Sequence, residues 1–200
     1  VSATFPTRNR PFLELFLPVW TPGSHLVREY MKNVEGLLAA DPSGAPLPTT
    51  RTRKNRVRVN TAGHESVRVS YRVYANETSV RTSFVDVDGA FLTGTTIFFG
   101  DPDSMNAEHV VRIQPAPGWK DIKTPLPTSK GDDRTFVASS YDELVDSPFL
   151  IATSTSVTFQ IDGVEHEIVN YGNTTRWEPE RAAADVQRLF EVQRELWGSL

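Results

Sequence analysis

Apolar and polar residues alternate with a period of two through most of this chain. In Val67-Arg68-Val69-Ser70-Tyr71-Arg72-Val73-Tyr74 one face carries Val67, Val69, Tyr71 and Val73, and the other carries Arg68, Ser70 and Arg72. That pattern marks a strand buried on one side. Residues 12–17, 56–60, 91–99 and 109–114 also read as strands. Val157, Phe159 and Ile161 share a face of another, and Asp162-Gly163 separates it from residues 164–171. Asp-Gly is a preferred dipeptide of type I′ hairpin turns, whose two central residues need positive φ. Fourteen prolines and twelve glycines fall mostly between these runs. The expected fold is therefore mainly β, an antiparallel sandwich or saddle with one short helix and a long C-terminal helix.

The short helix is predicted by Ser140-Tyr141-Asp142-Glu143, a capping box ahead of Leu144 and Val145. The long one opens at Pro179, which suits a first helical position, with Glu180 near the positive helix end. Ala182, Val186, Leu189, Gln193 and Leu196 then recur at helical spacing, and Phe190 and Trp197 widen the stripe. Residues 1–172 are thus expected to form a β domain. Residues 173–200 are expected to be a linker and the first helix of a domain that is cut off.

At 38% hydrophobic and 23% charged residues the chain can bury a core. A net charge of −4 gives no electrostatic reason to expect nucleic acid as a partner. The basic stretch of residues 51–58 reads as the solvated face of a strand, with a phosphate or carboxylate patch as the other reading. No apolar run approaches the length of a membrane span, so no membrane partner is expected. The chain has no cysteine, which excludes disulfides, thiolate metal sites and cysteine nucleophiles. It leaves the compartment open, the cytoplasm slightly ahead of the periplasm.

Candidate chemistry is sparse. His166-Glu167-Ile168-Val169-Asn170 begins like the zinc-peptidase motif H-E-x-x-H, but Asn170 stands where the second histidine belongs. The segment also lies on a predicted strand, where residues four apart stand roughly 13 Å from each other and cannot share one ion. His25, His64 and His109 are scattered, and His64 falls in a turn, Ala62-Gly63-His64-Glu65. No Gly-x-Ser-x-Gly elbow occurs; the nearest approach is Pro22-Gly23-Ser24-His25. Gly94, inside the strand read over 91–99, suggests a bulge or a close backbone approach. Asp86 with Asp88 and Asp101 with Asp103 read as solvated turn formers, too few oxygens for calcium. Asn76-Glu77-Thr78 and Asn173-Thr174-Thr175 match glycosylation sequons, which matter only in a eukaryotic secretory setting.

Several longer stretches carry a resemblance. They are Leu17-Pro18-Val19-Trp20-Thr21-Pro22-Gly23-Ser24, Leu26-Val27-Arg28-Glu29 and Asn33-Val34-Glu35-Gly36-Leu37. Tyr71-Arg72-Val73-Tyr74-Ala75-Asn76, Ser79-Val80-Arg81-Thr82, Tyr141-Asp142-Glu143-Leu144-Val145-Asp146-Ser147-Pro148 and Trp177-Glu178-Pro179-Glu180-Arg181 follow in order. Together they resemble the N-terminal region of the glycyl aminopeptidases, metallopeptidase family sixty-one, over nearly the whole chain. One departure is Glu178, where relatives commonly carry Asp; Glu is the poorer helix cap.

The resemblance implies a parent zinc aminopeptidase preferring glycine or alanine at the substrate's amino terminus. It implies that the zinc, its H-E-x-x-H helix and a downstream glutamate ligand belong to a catalytic domain beyond this chain. The chain itself is then expected to hold no catalytic residue and no metal. Its expected partners are its own catalytic domain in cis and a peptide substrate, with self-association of the fragment through the C-terminal helix. Related aminopeptidases use the β domain to wall one side of the substrate cleft. By that reading Thr93, Gly94 and Thr95 are candidates for the wall, and Arg81 is a candidate to hold the peptide or brace an acid. Two other readings stand beside it: a stand-alone β-sandwich module binding peptide or carbohydrate, and a hydrolase using Ser24, His25 and Glu29.

Overall fold

The structure, a computed structural model, describes residues 1–21, 24–172 and 175–198. Two antiparallel sheets form its first half. One has the order β1-β7-β3-β4, from β1 (Ser2–Pro6), β3 (Val34–Ala40), β4 (Pro46–Leu47) and β7 (Ser66–Val73). The other has the order β2-β6-β5, from β2 (Phe12–Phe16), β5 (Thr49–Arg53) and β6 (Arg56–Asn60). Alternation decides what they bury: Val67, Val69 and Tyr71 of one sheet meet Leu13, Leu15, Val57 and Val59 of the other. The opposite faces stay wet, and there Glu14 pairs with Arg56 and Arg58, while Arg58 also lies over the Phe12 ring. The basic stretch is thus a solvated strand face, as its alternation predicts.

The second half builds another core. Its sheets are β11-β14-β9-β8 and β10-β13-β12. The first contains β8 (Phe84–Val85), β9 (Gly89–Leu92), β11 (Asp121–Lys123) and β14 (Phe149–Ala152). The second contains β10 (His109–Arg112), β12 (Thr128–Ser129) and β13 (Asp132–Ala138). Phe136 meets Phe149 edge to face at 5.6 Å, and Tyr141 and Leu144 of a short helix close the layer.

A seam at residues 97–101 joins the two cores. The Tyr71 hydroxyl donates to Ile97 O at 2.6 Å, and the Tyr141 hydroxyl donates to Phe98 O at 2.8 Å. Burial pushes both phenols up, so neither ionises near neutrality. The Phe16 and Tyr141 rings pack edge to face at 5.5 Å. A Cβ on Gly100 would lie 2.8 Å from each of those rings, so only glycine fits between them. Asp101 departs from the sequence expectation of a solvated turn former. Its side chain is fully buried against Arg10, with Nη2 to Oδ2 at 2.7 Å, and it caps Ser104 and Asp103. Asp103 stays exposed, as expected.

Among the described residues three α-helices and two short 3-10 turns interrupt the sheets. The segment read as a strand over 91–99 is one only to Leu92; Gly94–Ile97 is a single helical turn, α1. Helix α2 (Tyr141–Asp146) has half of the predicted capping box. Ser140 Oγ accepts from Glu143 N at 3.1 Å, but the Glu143 carboxylate reaches Ser139 N and Oγ instead of closing on Ser140.

The hairpin of β15 (Ser154–Ile161) and β16 (Val164–Tyr171) turns through Asp162 and Gly163 at φ 49° and 80°, as a type I′ turn requires. His166 is a strand residue, its ring stacked on Phe159 at 5.6 Å and tilted against Phe190 at 5.7 Å. Phe190 belongs to α3 (Pro179–Trp197), whose Ala183 is buried. Glu178 makes no side-chain cap, consistent with its being the poorer residue there. Leu189, Val192, Leu196 and Trp197 are left exposed, so the predicted stripe is covered on one flank only. Asn173 and Thr174 of the second sequon, Pro22 and Gly23 of the stretch nearest to a nucleophile elbow, and the final Ser199 and Leu200 lie outside the described residues.

Candidate functional site

Two tight turns frame a cleft between the two halves. Thr82 Oγ1 donates to Glu77 O at 2.8 Å, which curls residues 77–82 back on themselves. This turn is stitched to α1 by a short circuit of hydrogen bonds. Thr93 N donates to Ser83 Oγ at 3.0 Å, and the Ser83 and Thr96 hydroxyls meet at 2.6 Å. Thr96 Oγ1 donates to Thr93 O at 2.9 Å, and Thr93 Oγ1 donates to Thr82 O at 3.0 Å. Such local side-chain bonds offer the backbone an alternative to a sheet ladder. They are why the apolar-and-threonine run beyond Leu92 leaves the sheet.

Gly94 completes the arrangement from beneath. A Cβ there would stand 2.7 Å from both Leu144 O and Val145 Cα, so α1 lies directly on the backbone of α2. The close approach that its glycine suggested is therefore made to the protein itself.

The resulting cleft encloses about 860 Å³. Arg81, Thr93 and Thr95 line one wall, three of the four candidates brought together; Gly94 is buried behind them. Phe16, Trp20 and Tyr141 supply aromatic surface, and Asp142, Glu143 and Asp146 of α2 supply carboxylates. Trp20 is fixed by its indole Nε1, which donates to Ser24 O at 2.8 Å. The Ser139 hydroxyl and amide hydrogen-bond the Glu143 carboxylate and lower its pKa from the ordinary value. The cleft thus offers aromatic surface, an arginine and carboxylates together.

Other sequence candidates fall apart in space. Ser24 is buried with its hydroxyl on Leu26 O at 3.0 Å, His25 is exposed, and Glu29 pairs with Lys54 at 2.6 Å. They make no nucleophile, base and acid in line. His64 sits in the predicted turn and faces Asp41 at 3.3 Å. His109 is half-buried, its ring held down in pKa by burial despite a contact with Ser104 O at 3.2 Å. Among the described residues, no three His, Asp or Glu side chains converge as a metal site.

Sequence reasoning missed the part of α2. Its acids read as cap and turn residues, and nothing local says that they line the same cleft as Arg81.

An antiparallel β domain with two cores and an open cleft between them is the class that this fold and site define. The chain belongs to the peptidase M61 N-terminal domain family, whose model matches residues 1–153. The match stops one residue before β15 begins. A crystal structure described as an aminopeptidase N family protein, from Idiomarina loihiensis, superposes with a TM-score of 0.86 at 32% identity. The likeness covers 98% of this chain and 33% of that one, so the chain spans about a third of that protein's length. A search of curated proteins gave no match.

Proposed function

We propose that this chain is the non-catalytic N-terminal domain of a zinc-dependent aminopeptidase that prefers glycine or alanine at the substrate's amino terminus. In that enzyme the β domain walls one side of the substrate cleft and a catalytic domain in cis carries the zinc and its ligands. The observation that carries the reading is the cleft itself. Arg81, Thr93 and Thr95, chosen from the family resemblance, come together on one wall in a chain of the M61 N-terminal family. The exposed side of α3 fits an element that packs the β domain against the catalytic one, with the boundary near residues 172–173.

The roles divide by chemistry. Arg81 is exposed and has no acidic partner among the described residues, so its charge is available to a peptide. Thr93 and Thr95 shape the wall, and Gly94 lets α1 and α2 approach closely enough to hold it. The test is hydrolysis of glycyl and alanyl p-nitroanilides by an enzyme joining this domain to its catalytic domain. Arg81→Ala is expected to raise KM several-fold with kcat little changed, the mark of lost substrate binding. Unchanged kinetics for both Arg81→Ala and Thr93→Val would sink the reading.

A further inference from the structure

A second groove, of about 1050 Å³, is lined along its length by β1 and β10. Each of these strands stands last in its sheet, so one side of each is unpaired. Leu92, Ile97, Phe98 and Trp119 give the groove apolar surface. The hydrogen bonds show which backbone groups face it. Val1 N donates to Tyr71 O at 2.8 Å, Tyr71 N returns the bond to Val1 O, and Thr7 N donates to Glu65 O at 2.8 Å. Bonded residues alternate with outward-facing ones in an antiparallel ladder. The unbroken register from Ser2 to Pro6 therefore turns the N–H and C=O of Ser2 and Thr4 away from β7. These four groups have no hydrogen-bond partner among the described residues. Ile113 N donates to Arg134 O at 2.9 Å, so Val110 and Arg112 likewise turn theirs away from β13.

Proteins rarely leave such an edge bare: they shorten it, charge it or cover it. Here β4, β8 and β12 are two residues long, β5 carries Arg51 and Arg53, and β2 carries Glu14. β1 has none of these guards. It is five residues long, no side chain from Val1 to Thr7 is charged, and only Pro6 at its end withholds a donor. Val1, Val85 and Val110 are also exposed along the groove. A row of free main-chain donors and acceptors beside apolar surface matches an extended peptide strand. The length of chain outside the structure favours a strand of the same polypeptide. The likeness covers 33% of the similar aminopeptidase N family protein, so about two thirds of that protein lies outside it. A tethered strand also avoids most of the loss of translational freedom that a free peptide suffers. A second copy fits poorly, because its own β1 is flanked by its β10 in the same way.

We propose that the groove holds a β-strand donated in cis, from a part of the longer polypeptide outside these 200 residues. The strand adds to the β1 edge. Its main chain accepts from the N–H groups of Ser2 and Thr4 and donates to their carbonyls. Every second side chain of the donated strand turns toward the apolar lining of the groove, so its sequence carries apolar residues with a period of two. This rests on the reading of the chain as one domain of a longer protein, but on nothing in its catalysis.

The experiment is residue-resolved amide hydrogen exchange on the full-length protein, with the 200-residue chain measured beside it. In the full-length protein the Thr4 amide is expected to be protected about as well as that of Phe5, which bonds β7. In the 200-residue chain Thr4 is expected to exchange about a hundredfold faster or more than in the full-length protein, as an unpaired edge does. A benzophenone carried on Thr4→Cys of the full-length protein then identifies the donor. Thr4 neighbours the core-facing Phe5 in β1, so its side chain stands on the opposite, wet face and the label leaves the edge free. A cross-link within one molecule, to a segment outside the 200 residues, is the expected result. Free exchange of Thr4 beside a protected Phe5 in the full-length protein would overturn the proposal. So would a cross-linked dimer, or cross-links confined to residues 1–200. None of these outcomes bears on the cleft-wall reading, which is tested by peptide kinetics.

Discussion

Asp101 illustrates how a single side chain can hold two halves of a domain. Burial alone would raise its pKa, but hydrogen bonds from Arg10, Ser104 and Asp103 N–H, with the Arg10 charge, bring it below the ordinary 3.8. A carboxyl depressed in the folded state contributes stability above its unfolded pKa and loses it as pH falls through the folded value. The wild-type chain should therefore lose stability below about pH 4 as this carboxyl protonates. Arg10→Met leaves the buried charge uncompensated, at a cost of about 3 kcal/mol at neutral pH. In that variant burial dominates and the Asp101 pKa rises, so its deficit should shrink on acidification. Urea midpoints of the two proteins at pH 7 and pH 3 check this; a deficit that is constant with pH rules out Asp101 as the cause. None of this was legible in Asp101-Pro102-Asp103, which reads as a turn. The partner lies ninety-one positions away, and sequence spacing carries no trace of it.

At the scale of elements, the strands with one clearly wet face were legible. Residues 56–60 and the run from Val67 to Val73 alternate cleanly and form β6 and most of β7. The run over 91–99 misled for a physical reason. Gly94, Thr95, Thr96 and Ile97 are all buried, so no alternation there separates strand from helical turn. What bends it is the hydroxyl circuit with Ser83 and the contact of Gly94 with α2, the second made to a helix some fifty positions on. Gly94→Ala tests this. Its methyl would press on backbone atoms 2.7 Å away, which cannot rotate aside. A loss of about 1–3 kcal/mol is expected from such overpacking, measured by thermal or urea unfolding. A neutral Gly94→Ala would mean that α1 and α2 separate easily, contrary to the packing described.

Over the whole molecule, β content and the terminal helix were readable from periodicity, while the division into two cores was not. That division depends on which strands share a sheet, as when β9 pairs with β14 across some sixty residues. The terminal helix leaves Leu189, Val192, Leu196 and Trp197 exposed together. An uncovered apolar strip of this kind drives association. The chain should thus sediment as a concentration-dependent oligomer, and Leu189→Glu with Leu196→Glu should return it to a monomer. A monomer at all concentrations before substitution would exclude α3 as a contact surface. Tyr141 carries a last consequence. Its ring seals the seam between the cores against Phe16 and also lines the cleft. Occupancy of the cleft and cohesion of the two halves are then linked equilibria, each strengthening the other by the same free energy. Any molecule that fills the cleft should raise the melting temperature in proportion to the logarithm of its concentration, which turns a simple thermal scan into a search for ligands.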